Sequence, residues 1–102
     1  MKLIRELSDM IDEELDGACT YAKQALELRE TRPELADVMY GISQDEMRHM
    51  ALLHGEAERV IREYRQASGE PPAEMMAVYE FLHKKQIEKA GKVKGYQAMY
   101  KE

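Results

Sequence analysis

Apolar residues recur every three or four positions along most of this chain, which is the spacing of one face of an α-helix. The first helix is predicted for residues 2–29. Its apolar stripe consists of Ile4, Leu7, Ile11, Ala18, Tyr21, Ala25 and Leu28. Pro33 suits the first turn of a second helix, predicted for residues 33–67. The stripe of that helix consists of Leu35, Val38, Ile42, Leu53, Ala57, Val60 and Tyr64.

A third helix is predicted for residues 73–99, because Gly69, Pro71 and Pro72 end the second one. Its expected inner positions are Met76, Tyr79, Ile87 and Ala90. Gly91 and Gly95 weaken its later part, so we expect the last dozen residues to fray or to pack against a partner. Short connections make successive helices antiparallel neighbours. The sequence therefore predicts one all-α domain over residues 1–102, a helical hairpin plus a third helix, with an open side that favours dimerisation.

Two carboxylates and one imidazole occupy positions where the spacing of these stripes calls for apolar residues. Glu14 falls between Ile11 and Ala18, while Glu46 and His49 lie three residues apart on the inner face of the second helix. Charged groups on an apolar face are costly unless something compensates them, and a metal ion would do so. Counted from the first turn at about 1.5 Å per residue, Glu14 and His49 differ in height by only about 3 Å. Glu14, Glu46 and His49 are therefore the predicted metal ligands.

A second copy of the chain would double this set to four carboxylates and two imidazoles. That is the ligand set of di-iron carboxylate bundles, in which two helices each supply a Glu and two supply Glu-x-x-His. Oxygen and imidazole donors suit Fe, Mn or Zn. We therefore expect a homo-oligomer, at least a dimer, with a metal site between subunits.

Residues 12–61 resemble the ferritin-like superfamily, in particular its rubrerythrin-type and encapsulated-ferritin branches. The resemblance is carried by Glu14, by Tyr21 seven residues later, and by Glu46-x-x-His49. It implies a ferritin-like four-helix bundle completed by dimerisation, with a di-iron centre bound by those Glu and His residues. It also implies Tyr21 beside the metals as a catalytic supporting residue, and oxidation of Fe(II) by O₂ or peroxide.

The chain departs from fuller relatives in two respects. It has a single cysteine, Cys19, and so lacks the rubredoxin-type Cys pairs that relay electrons in a rubrerythrin. Its C-terminal residues do not resemble encapsulin-docking tails, so we do not expect an encapsulin shell as partner. Two other functions stay open: a peroxidase or manganese catalase-like enzyme on the same site, and a non-enzymatic helical oligomerisation module with buried Glu and His contacts.

Other candidate residues are weaker. Glu80 and His83 form a second Glu-x-x-His, but counting along the helices puts them about 12–18 Å from the first pair. Glu88, expected opposite Leu52, is the better reserve ligand, and all three could still join a site across a dimer interface. The remaining polar candidates have ordinary expected roles: a surface or interface position for His54, and an acidic patch that attracts cations for Glu13 and Asp16.

Composition narrows the classes of function. The formal net charge of −5 argues against nucleic-acid binding, which needs a basic surface. No apolar run approaches the roughly 18 residues of a membrane span, and the N-terminus lacks the apolar core of a signal peptide. One cysteine permits no disulfide within the chain. These features lead us to expect a cytoplasmic protein without a membrane partner.

Overall fold

The computed structural model describes residues 2–102 and shows three helices: α1 (Lys2–Leu28), α2 (Pro33–Ser68) and α3 (Ala73–Lys101). These described residues contain no β-strand, so the all-α class is confirmed. The helix ends lie within two residues of those predicted. The 36 residues of α2 span about 54 Å at 1.5 Å each, which matches the 55 Å length of the molecule. α1 and α2 form an antiparallel hairpin. The backbone of α3 lies closer to α1 than to α2, and α3 reaches α2 mainly through side chains such as His83 and Tyr100.

Small side chains line the contact between α1 and α2. The fully buried ones are Ala18, Ala22 and Ala25 on α1, and Ala36, Ser43 and Ala57 on α2. Because helix separation depends on the side chains at the contact, these residues let the two helices approach closely. Larger apolar residues form a cluster toward the start of α1, where Ile4 and Leu7 pack against Ala57 and Ile61.

This contact corrects the predicted stripes. On α1, Leu15 and Ala22 are buried, whereas Tyr21 and Leu28 are only half-buried. On α2, Leu35 and Val38 are 40% and 56% exposed, because the neighbouring small residues occupy the interior instead. On α1 five of the seven predicted residues are buried, so the predicted stripe is largely confirmed, whereas on α2 the buried face is rotated from the expected one.

Polar contacts fix α3 against α1. The buried side-chain amide of Gln86 donates to the Ser8 carbonyl, the Ser8 hydroxyl and the Asp12 carboxylate at 3.0–3.2 Å. Lys89 forms an ion pair with Asp16 one turn further on. Ile87, which was predicted to face inward, is 59% exposed beside the buried Gln86.

The end of α3 is also held in place. Arg29 of α1 donates to the backbone carbonyls of Met99 and Tyr100, and the Tyr100 hydroxyl donates to Asp37. The helix continues to Lys101. Of the two expectations for the last dozen residues, fraying is wrong because these bonds tie them to the hairpin, and packing against a partner stays a prediction. No helix of the described chain, residues 2–102, is both long and apolar enough to cross a membrane.

Candidate metal centre

Glu14 of α1 meets Glu46 and His49 of α2 near the middle of the hairpin. One donor atom from each side chain lies within 4.8 Å of the other two. The closest measured pair is His49 Nδ1 and Glu14 Oε2 at 3.3 Å. Within residues 2–102, no other group of three His, Cys, Asp or Glu side chains brings its donor atoms this close. The structure thus brings together all three predicted ligands.

A hydrogen-bonded chain through all three helices lies next to this cluster. Gln97 of α3 donates to the Ser43 hydroxyl at 2.9 Å, and that hydroxyl donates to the Ala18 carbonyl at 2.7 Å. Ser43 precedes Glu46 by three residues, and Ala18 follows Glu14 by four. Because each pair is about one helical turn apart, these bonds fix the relative height of the two ligand helices.

The two carboxylates disfavour each other's charge. Hydrogen bonding with the Glu14 carboxyl raises the pKa of Glu46, and desolvation and the charge of Glu14 raise it further, while His49 opposes the shift. Like charges that share a site produce this behaviour. A cation bound between the carboxylates would relieve this repulsion.

One side of the cluster is open. The Glu14 side chain is 26% exposed and that of His49 is 48% exposed. An open coordination position is a property of metal sites that exchange ligands, whereas structural zinc sites are closed by four protein ligands. Three donors from one chain fit one side of a site for Fe, Mn or Zn, which bind carboxylate and imidazole.

Gly17 is a residue of this region that the sequence reasoning missed. It lies three residues after Glu14, and a Cβ atom added there would be 3.3 Å from Glu46 Oε2. The available signal was a glycine inside a helix, where alanine is intrinsically favoured. Its meaning depends on the approach of α2, which the sequence of α1 does not reveal.

Tyr21 lies on the same face of α1 as Glu14, two turns later and about 10 Å along the axis. Its side chain is half-buried. Among the hydrogen bonds of residues 2–102, none joins Tyr21 to Glu14, Glu46 or His49. Its supporting role therefore stays a prediction.

The second Glu-x-x-His does not join the cluster within one chain. Glu80 is exposed, and His83 stacks on His54 with ring centroids 4.6 Å apart and on Tyr79 at 6.0 Å. The expected surface or interface residue His54 is half-buried between α2 and α3, where it also contacts Glu58 at 3.4 Å.

The role of Glu88 as a reserve ligand stays a prediction. Glu88 lines a cleft between α3 and α1 together with Asp12 and Asp16, while Leu52 is 66% exposed on α2. Asp16 is paired with Lys89 in that cleft, so it contributes less negative field than its sequence position suggested. Comparison of the chain with known protein families, with curated proteins and with solved structures gave no match.

Proposed function

We propose that Glu14, Glu46 and His49 form half of a ferritin-like dinuclear metal centre, and that a second copy of the chain supplies the other half. The observation that carries the proposal is the meeting of three metal-binding side chains, from two helices, with donor atoms within 4.8 Å. The raised pKa of Glu46 supports it, since the cluster gains from a positive charge.

The need for a second copy follows from the number of donors. Two ions in a di-iron carboxylate site draw on four carboxylates and two imidazoles, and one chain offers half of these. The cluster is open on one side, so the missing donors can approach from outside the chain.

Exposed apolar side chains on the helix faces that carry the ligands favour the same arrangement. Leu3 and Met10 share the face of α1 that carries Glu14, and Val38 and Leu52 share the face of α2 that carries His49. We call these four residues and the cluster they surround the site face. All four side chains are 45–66% exposed in the single chain. Burial against a second site face would stabilise a dimer by about 25 cal/mol per Å² of apolar surface.

The proposed reaction is oxidation of Fe(II) as substrate by O₂ or peroxide. With peroxide, two Fe(II) ions each lose one electron, and the peroxide takes up two electrons and two protons to give two waters. Glu14 and Glu46 would hold the ions through their carboxylate oxygens, and His49 would hold one of them through its imidazole. Tyr21 would help to hold the side chains around the ions in place. The same donors would also accept Mn, so a peroxidase or catalase-like reaction is the enzymatic alternative.

Metal binding by variants tests the assignment. Purified protein is stripped with chelator, exposed to Fe(II) without oxygen, and assayed for bound metal and for oxidation after oxidant is added. Glu46→Ala is expected to lose metal loading and catalysed oxidation, because two donors remain per chain. Glu27→Ala, which removes an exposed carboxylate from α1, is expected to behave as the parent protein.

Three other results would contradict the proposal, each in a different way. Equal metal loading in Glu46→Ala and Glu27→Ala would sink the site assignment. If the parent protein dimerises but neither holds metal nor accelerates Fe(II) oxidation, the chain is an oligomerisation module. If it holds Mn and decomposes peroxide without oxidising Fe(II), the catalase-like alternative replaces the proposal.

A further inference from the structure

Gly17 differs from the other helical glycines of the described chain. A Cβ atom added at Gly17 would lie 3.3 Å from Oε2 and 3.4 Å from Cδ of Glu46. The same atom added at the other four, Gly41, Gly55, Gly91 and Gly95, would meet nothing within 4 Å. Glycine at position 69 is explained by the backbone instead, because this residue follows α2 with a φ of 82°, a conformation that favours glycine.

The contact at Gly17 involves the carboxylate of Glu46, which is the group proposed to bind metal. The atoms nearest to the added Cβ are the carboxylate oxygen and carbon, and Cγ is further away at 3.7 Å. A methyl group at this position would have to displace the carboxylate by a few tenths of an ångström. Catalytic and metal-binding groups must be held within about 0.5 Å of their productive geometry. A displacement of a few tenths of an ångström takes up much of that tolerance, so we expect it to weaken metal binding.

We propose that Gly17 is a positioning residue of the metal centre: its missing side chain leaves the clearance that the Glu46 carboxylate needs to bind a metal ion. This inference rests on the proposed function. A carboxylate that must turn its oxygens toward a metal ion needs room to rotate. On this side of the cluster, the backbone of α1 at Gly17 provides that room.

The test uses the full chain and Co(II), a divalent ion whose visible spectrum reports its coordination. Metal-free Gly17→Ala is titrated with Co(II) beside the parent protein. Gly55→Ala is the matched control, because it makes the same change inside a helix where no neighbour is met. We expect Gly17→Ala to bind Co(II) about tenfold more weakly or worse, with an altered visible spectrum. Gly55→Ala should match the parent protein in both. Circular dichroism checks that both variants remain helical.

A second pair of variants tests whether the effect acts through Glu46. Glu46→Asp withdraws the carboxylate toward α2 by one methylene, so the methyl group at position 17 no longer meets it. The cost of Gly17→Ala should then largely disappear in the Glu46→Asp background. An equal cost in both backgrounds would overturn the proposal, because the glycine would then be acting on something other than this carboxylate.

The outcomes separate this inference from the proposed function. If Glu46→Ala binds Co(II) as well as the parent protein, the metal centre itself is wrongly assigned. If Glu46→Ala loses binding while Gly17→Ala keeps the parent affinity and spectrum, the centre stands and the role of Gly17 is refuted.

Discussion

The hydroxyl of Ser43 donates a hydrogen bond of 2.7 Å to the backbone carbonyl of Ala18. Ser43 is fully buried and also accepts a hydrogen bond from Gln97, so one hydroxyl connects all three helices. Apolar packing is non-directional and leaves the sliding of one helix along another weakly specified. A buried hydrogen bond with defined partners removes that freedom, here one turn away from Glu14 and Glu46.

Ser43→Ala should destabilise the protein. The change removes two hydrogen bonds and leaves the Ala18 carbonyl without this buried donor, which costs about 1–3 kcal/mol. Urea unfolding followed by circular dichroism measures the free energy of unfolding. Ser68→Ala, at the exposed end of α2, is the control and should change it by no more than about 0.5 kcal/mol. If both variants lose the same small amount of unfolding free energy, the hydrogen bonds of Ser43 contribute nothing to stability.

Glu46→Gln should stabilise the metal-free protein at neutral pH. The folded state raises the pKa of Glu46 above its ordinary value of 4.5, so it binds more protons than the unfolded state between these two values. Stability is therefore lost as the pH rises through the raised pKa. An uncharged Gln removes that loss, so the variant should have the higher melting temperature in chelator at pH 7.

Added metal should reverse this order. A metal ion that binds only the folded state stabilises the parent protein by mass action, and Glu46→Gln should gain little. Melting curves with and without Mn(II) or Co(II) make the comparison. Glu27→Gln should follow the parent protein in both conditions, because this carboxylate is exposed. A variant that melts below the parent protein in chelator would contradict the predicted repulsion.

His83 should make the protein sensitive to mild acid. Burial lowers the pKa of His83 below its ordinary value of 6.5, and the charge of His54 lowers it further, while Glu58 opposes the shift. Below about pH 6.5 the unfolded state therefore binds a proton that the folded state still excludes. Stability falls as the pH drops through this window.

The comparison of His83→Phe with the parent protein isolates that contribution. Phenylalanine keeps a ring to stack on His54 and Tyr79 but cannot take up a proton. The difference in free energy of unfolding between the two proteins should shift in favour of His83→Phe as the pH is lowered from 8 to 5. Parallel curves over this range would show that His83 titrates normally.

Leu52→Lys should weaken both the dimer and the metal centre. Leu52 is 66% exposed, three residues after His49 on the site face, where the proposed dimer would bury it. A lysine there adds a charge that burial would strip of water. Sedimentation velocity should show a shift toward monomer, and metal loading should fall with it.

Phe81→Lys is the matched control for that variant. Phe81 is 59% exposed on α3, outside the site face, so its replacement should leave the dimer and the metal intact. A metal-loaded parent protein that sediments as a monomer would contradict the proposal of a site shared between subunits.

The sequence by itself determined the number of helices, their ends to within two residues, and the phase and height of the three candidate ligands. These are local properties. Helix ends depend on neighbouring residues such as Pro33 and Pro72, and the position of a side chain along a helix follows from a fixed rise per residue. Glu14 and His49 could therefore be matched across the turn by counting.

Only the tertiary structure decided which side chains are buried and what surrounds the ligands. On α3 several large apolar residues, such as Val78, Phe81 and Ile87, are exposed. The spacing of its apolar residues therefore does not show which face of α3 packs inward. Close approach of α1 and α2 selects alanine and serine over the larger residues beside them, and the hydrogen bonds of Gln86 fix how α3 docks. The clearance at Gly17 exists only because Glu46 reaches it from another helix. Contacts between residues far apart in the chain depend on how whole helices pack, and no local pattern of residues specifies that packing.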